Sequence, residues 1–188
     1  MKKIMLLVVS MIVIGATASA QKLTEGSLEP IFGQAVINCV FDYSQLEAAG
    51  MLLQEFIEWK TADDKNGEDF APKFDRGIKS AHMNFMEKAN DKLKDVRFAK
   101  KDNAEYTLTV KMLTIDKPGR ENTCEYVFTK TGSTEPVAII TMDGKGGRFG
   151  SFTNLMNDAF KDGGEQFGEF LNKQFKQIAK EQKKKNKK

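Results

Sequence analysis

The stretch from Phe152 to Ile178 constrains the fold more than any other part of this chain. Phe152, Leu155, Met156, Ala159, Phe160, Gly163, Phe167, Phe170, Leu171, Phe175 and Ile178 recur every three or four residues, the spacing that lines side chains along one side of an α-helix. An apolar stripe about seven turns long has to be covered by another layer of structure. Ser151 stands where an N-cap belongs. Gly163 and Gly164 weaken the middle by about 1 kcal/mol each relative to alanine, and mark either a kink or a place where the helix presses on a sheet. A helix from Ser151 to Ile178 is about 42 Å long, against about 34 Å for a ten-residue strand. Its end is therefore expected to overhang the sheet, with the lysines beyond it solvated and frayed.

A second long helix carries a matching stripe in Phe70, Phe74, Ile78, Ala81, Phe85, Ala89 and Leu93. Its basic end, with Lys88, Lys92 and Lys94, suits the helix dipole. A short amphipathic helix is expected over Gly50–Lys60, followed by a polar loop from Thr61 to Gly67. Residues 34–43 alternate, with Ile37, Cys39, Phe41 and Tyr43 on one side and Val36, Asn38, Val40 and Asp42 on the other, which predicts a strand with one apolar face. Four more strands are predicted at Val96–Lys100, Tyr106–Met112, Cys124–Thr129 and Pro136–Asp143. Turn signals at Asp116-Lys117-Pro118-Gly119 and Lys130-Thr131-Gly132-Ser133 separate them and favour antiparallel hairpins. The expected fold is α+β, a two-layer sandwich. One mostly antiparallel sheet of about five strands is covered on one face by two long helices.

The first twenty residues read as a cleavable secretory signal. Lys2 and Lys3 precede an apolar run from Ile4 to Ile14, and Ala18 and Ala20 form the small-residue pattern before a cut near Ala20–Gln21. The run is short for a membrane span, and Gln21 stands where a lipoprotein would carry cysteine. The expected organisation is a signal at 1–20, a flexible lead-in at 21–33, one domain at 34–179 and a basic tail at 180–188. The expected location is the periplasm or the exterior, with no transmembrane segment in the mature chain.

Charge argues against nucleic acid as a partner. Without Lys2 and Lys3 the 29 basic residues fall to 27, against 26 acidic ones. Setting aside the six lysines and the one glutamate of residues 180–188 leaves 21 basic and 25 acidic side chains, a net charge of −4. A nucleic-acid binder spreads positive charge over a face of its fold. Here it gathers in the tail from Lys180 to Lys188, which suits weak contact with an anionic surface.

Chemistry has few footholds. Gly144, Lys145, Gly146, Gly147, Arg148 and Ser151 sit between a strand and a helix, where backbone amides can cradle an anion. The dinucleotide spacing fails because Phe149 holds the third glycine's place, and the P-loop fails for want of a lysine before Ser151. A tight connection capped by Ser151 is the plainer reading. The acidic run from Asp63 to Asp69 fails as a calcium loop, since Ala62 and Lys73 occupy ligand positions, and reads as a solvated turn. His82 is the one histidine, which excludes a His-ligated metal cluster and reads as a helix-surface residue. A Cys39 or Cys124 nucleophile would need it close by. No metal or cofactor is expected. Cys39 and Cys124 could pair after export, closing a loop of about 85 residues worth about 4.5 kcal/mol in the chain-entropy model; free buried thiols are the alternative. Phe56 and Trp59 could form an exposed partner-binding ridge, or belong to the core.

The run Val40-Phe41-Asp42-Tyr43-Ser44, the Gly144–Phe152 loop and the following Asn154-Leu155-Met156 resemble a group of small exported Bacteroidetes-type proteins of unknown function. More distantly, the element order is similar to periplasmic domains of envelope assembly lipoproteins such as the curli secretion channel. The resemblance implies protein binding without catalysis, and the missing lipidated cysteine departs from it. The expectation is a non-enzymatic binding or scaffolding module of a bacterial envelope, partnered by an envelope protein or by itself. The alternative is a small-ligand (anion) binding protein or an enzyme using the Gly144–Ser151 loop.

Overall fold

The structure is a computed structural model that describes residues 22–63 and 70–187. The expected signal segment and most of the acidic loop at 63–69 lie outside the described residues. The elements run β1 (Lys22–Gly26), a 3-10 turn (Glu29–Ile31), β2 (Val36–Asp42), β3 (Glu47–Ala48), β4 (Met51–Leu52), α1 (Leu53–Asp63), α2 (Phe70–Lys92), β5 (Arg97–Ala99), β6 (Tyr106–Ile115), β7 (Glu121–Lys130), β8 (Pro136–Lys145) and α3 (Phe152–Lys185).

The α+β class holds, but the expected layout is corrected in five respects. The sheet has eight strands, in the order β1-β8-β7-β6-β2-β5 with β3 and β4 attached at the β6 side. It is mixed, because β2 pairs parallel to both β5 and β6. The chain between β2 and those strands runs through α1 and α2, and a connection that long permits a parallel crossover. The hairpins β6–β7 and β7–β8 are antiparallel as expected. The stretch read as a flexible lead-in contains the edge strand β1, antiparallel to β8, and buries Leu28 and Ile31. Met51 and Leu52, expected in a helix, instead form β4, so α1 begins at Leu53. Finally, the helical part of the C-terminus does not end near Ile178. It continues to Lys185 with Asn186 as its C-cap, so the tail is largely helical rather than frayed.

One face of the sheet makes the core. Leu108, Val110 and Met112 on β6, Cys124, Tyr126 and Phe128 on β7, and Ala138, Ile140 and Met142 on β8 are all buried. The two Phe-striped helices close over them. Phe167 stacks on Tyr126 with centroids 4.3 Å apart, and Phe85 lies 5.6 Å from the same ring. Each buried Phe contributes about 1.5–3 kcal/mol, so these stripes supply much of the cohesion. The helices meet backbone to backbone: a Cβ on Gly164 would fall 2.4 Å from the Phe85 carbonyl oxygen. Gly163, one residue earlier, faces the sheet at the Tyr126 hydroxyl. The glycine pair therefore sits where α3 presses on α2 and the sheet together. Pro72 falls in the first turn of α2, where its missing N–H costs nothing.

Candidate functional site

The Gly-rich segment is shorter as a loop than its sequence suggests. β8 carries the chain through Lys145, so Gly144 and Lys145 are strand residues, and only 146–150 form the connection. A Cβ on Gly144 would lie 2.4 Å from the Ala159 carbonyl oxygen, and one on Gly146 would lie 2.3 Å from that of Leu155. Glycine is required here because the strand end lies directly against the α3 backbone. Ser151 caps α3, its Oγ accepting from the Asn154 N–H at 3.3 Å.

Three of the amides that would cradle an anion already donate inside the protein. Gly144 N–H donates to Asn122 Oδ1, Lys145 N–H to Asp162 Oδ2 and Gly146 N–H to the Arg120 carbonyl. At these three amides an anion would have to displace a carboxylate and two carbonyl oxygens. Lys145 and Arg148 are both exposed, and Phe149 at the loop tip is 92% exposed.

Beside this loop, the end of the sheet holds an open groove of about 540 Å³, lined among others by Glu47, Thr114, Asp116, Glu121, Thr123, Asp143 and Lys145. Two of its carboxylates are structural. Asp143 Oδ1 accepts from the Thr123 hydroxyl at 2.7 Å, and Asp116 Oδ1 accepts from the Arg120 and Glu121 amides, closing the β6–β7 turn. Four carboxylates against one lysine give the groove a potential that disfavours anions. Among the described residues, no group of three or more His, Cys, Asp and Glu side chains is placed to hold a metal ion.

The remaining candidate residues fall elsewhere. Cys39 and Cys124 are free and buried. Cys39 on β2 pairs with Leu108 and Cys124 on β7 pairs with Met112, so β6 lies between them with a four-residue offset. Two strand spacings alone amount to about 10 Å, beyond disulfide reach; the bridge is not made. Burial pushes both thiols up to about 12, which keeps them protonated and non-nucleophilic at neutral pH. Phe56 is fully buried against Phe70 and Phe152, so of its two readings it takes the core one and not the exposed ridge. Trp59 is half-buried, with the Lys60 and Lys117 ammonium groups 5.1 and 4.9 Å from its ring.

His82 is not a surface residue. It stacks on Phe41 and exchanges a hydrogen bond with the Tyr43 hydroxyl through Nε2. Burial, with a smaller contribution from Lys100, pushes its pKa down to about 4. The same burial raises the Tyr43 hydroxyl well above the usual tyrosine range. The pair is neutral at physiological pH and lies half-buried at the edge of the core. The signal lay in the alternation of β2, which sends Phe41 and Tyr43 inward; nothing local shows that His82 meets them. Asn122 was also missed in the sequence. It is buried beside Gly144, and its Nδ2 has no hydrogen-bond partner among the described residues.

The fold and these sites define an α+β domain with a sheet roofed on one side. Among solved structures the chain is similar to the PelC dodecamer from Paraburkholderia phytofirmans, in its parent form and in a point variant. Each match has 12% sequence identity and a TM-score of 0.38, covering 80% of this chain and 96% of the other. No family model matches the chain, and no curated protein matches it. Among the described residues no helix is long and apolar enough to cross a membrane.

Proposed function

We propose that this protein is an exported envelope module that works by binding other macromolecules rather than by catalysis. The observation carrying this reading is the uncovered face of the sheet. Val40, Thr109, Val127 and Ile139 lie side by side across β2, β6, β7 and β8, on the side away from α2 and α3. The adjacent row is Asp42, Lys111 and Glu125, with Lys111 bonded to Glu125 at 3.3 Å. A row of three aliphatic side chains and a threonine, bordered by alternating charges, offers both burial and register to a partner. Val40 is 38% exposed and Thr109 and Ile139 are partly exposed, while Val127 between them is buried, so part of that row is solvated in the isolated chain. Residues 1–20 supply the export, and the helix layer holds the sheet rigid.

Placing a photo-crosslinking amino acid at position 40 or 139 in cells tests this. The expected result is a discrete adduct with an envelope component at both positions and none at Phe149. No adduct at either sheet position, from a correctly folded protein, would remove the reading.

A further inference from the structure

We propose that the outer stripe of α3 is a self-docking surface, on which a second copy of this chain lies antiparallel. Asp158, Asp162, Glu165, Glu169, Lys173, Lys176, Lys180, Lys183 and Lys187 follow one another at intervals of three or four residues. At 100° per residue those within α3 occupy an arc of about 80°, on the side of α3 away from Phe160, Phe167 and Leu171, and Lys187 follows just past the Asn186 C-cap. From Glu165 to Lys187 all of these side chains are exposed, while the first two aspartates are half-buried. The stripe is acidic in its first half and basic in its second, and the sign changes once.

The halves are arranged as a palindrome of opposite charge. About a midpoint between Asn172 and Lys173, Glu169 mirrors Lys176, Glu165 mirrors Lys180, Asp162 mirrors Lys183 and Asp158 mirrors Lys187. A two-fold axis through that midpoint sets every carboxylate of one copy level with a lysine of the other, each pair occurring twice, as an isologous contact requires. A parallel arrangement would set like charges against like. The helix dipole does not account for the pattern, since its influence falls off within the terminal turns, whereas α3 has no acidic residue in its first turn.

The fold leaves room for the contact. Residues 180–187 are exposed, and the apolar residues packed against the core reach only to Ile178. Each basic overhang therefore extends over the acidic half of the other copy. Within one copy, Lys92 of α2 bonds Glu165 and, at 2.9 Å, Glu169, while Lys161 lies 3.7 Å from Asp158 and the Lys145 amide donates to Asp162. Each carboxylate has about four acceptor sites, so these bonds orient the acids and leave capacity for the second copy. Exposed ion pairs are individually weak and screened by salt, so the dimer is expected to be weak and sensitive to ionic strength. The inference deepens the assembly reading by naming a second copy as partner, but it uses different residues, so its failure would leave the crosslinks at positions 40 and 139 unaffected.

Sedimentation of the chain beginning at Gln21 tests it, at about 10 mM and about 1 M ionic strength, where the Debye length is about 30 and 3 Å. The expected result is a dimer at low salt that dissociates at high salt, with a Kd at least about tenfold higher. Lys176→Glu with Lys180→Glu should abolish it, as should Glu165→Lys with Glu169→Lys. Mixing those two variants should give a heterodimer, and combining all four changes in one chain should restore the homodimer, with circular dichroism confirming the fold throughout. A monomer at every salt, a dimer indifferent to the swaps, or binding to anionic vesicles without self-association would overturn it.

Discussion

The imidazole of His82 lies parallel to the ring of Phe41, with centroids 3.7 Å apart and planes 6° from parallel. A ring on α2 is thereby tied to β2, and the Tyr43 hydroxyl holds the same imidazole from its edge. The contact joins the layers through a titratable group whose charged form the core disfavours.

Stability should therefore depend on pH through His82. Its pKa is near 6.5 in the unfolded chain and about 4 in the fold. Between those values the unfolded chain takes up a proton that the folded protein refuses. The stabilisation is complete above about pH 6.5 and declines as pH falls towards 4. Urea midpoints measured across that window should fall for the native sequence and stay flatter for His82→Gln. Equal slopes would rule out this account.

Removing the hydroxyl partner gives a smaller effect. Tyr43→Phe leaves the ring stack in place and deletes one hydrogen bond in a half-buried site, at a cost of about 0.5–1.5 kcal/mol. Chemical denaturation measures it directly, and the variant should bind partners as the native protein does.

The two adjacent glycines of α3 should respond in opposite directions. At Gly163 an added Cβ meets the Tyr126 hydroxyl at an ordinary 3.4 Å, so Gly163→Ala should keep part of the helix-propensity gain of about 1 kcal/mol. At Gly164 the same Cβ enters the Phe85 backbone at 2.4 Å, and Gly164→Ala should lose about 1–3 kcal/mol as the helices are forced apart. Thermal melts of the pair decide it; two variants shifting alike would contradict the packing.

Both thiols should remain free after export. Alkylation followed by mass spectrometry should label neither cysteine quickly in the native protein and both after denaturation. A peptide linking Cys39 to Cys124 would require β2 and β7 to be closer than the sheet allows.

Phe56→Ala should act as a core deletion, costing about 3–5 kcal/mol, because the ring is enclosed by Phe70 and Phe152. Truncating Trp59, which is only half-buried between two lysines, should cost less. Comparing the two denaturation midpoints separates the neighbours.

What the sequence determined by itself is local. The three-and-four spacing of apolar residues specified α2 and α3, Ser151 specified where α3 starts, and the turn residues after β6 and β7 specified a meander of hairpins. These features follow from backbone periodicity and capping within a few residues, so they are written where they occur. Tertiary structure decided which strands meet: β1 against β8, and β2 parallel to β6 and β5. Those pairings join segments many tens of residues apart and leave no local mark, because the backbone hydrogen bonds that make them are the same for every residue type. The candidate site followed the same division. The glycines of 144–146 were visible as a signal, yet only the approach of α3 shows that they make room for a helix. His82 could be placed on its helix, but its burial depended on β2 arriving beneath it.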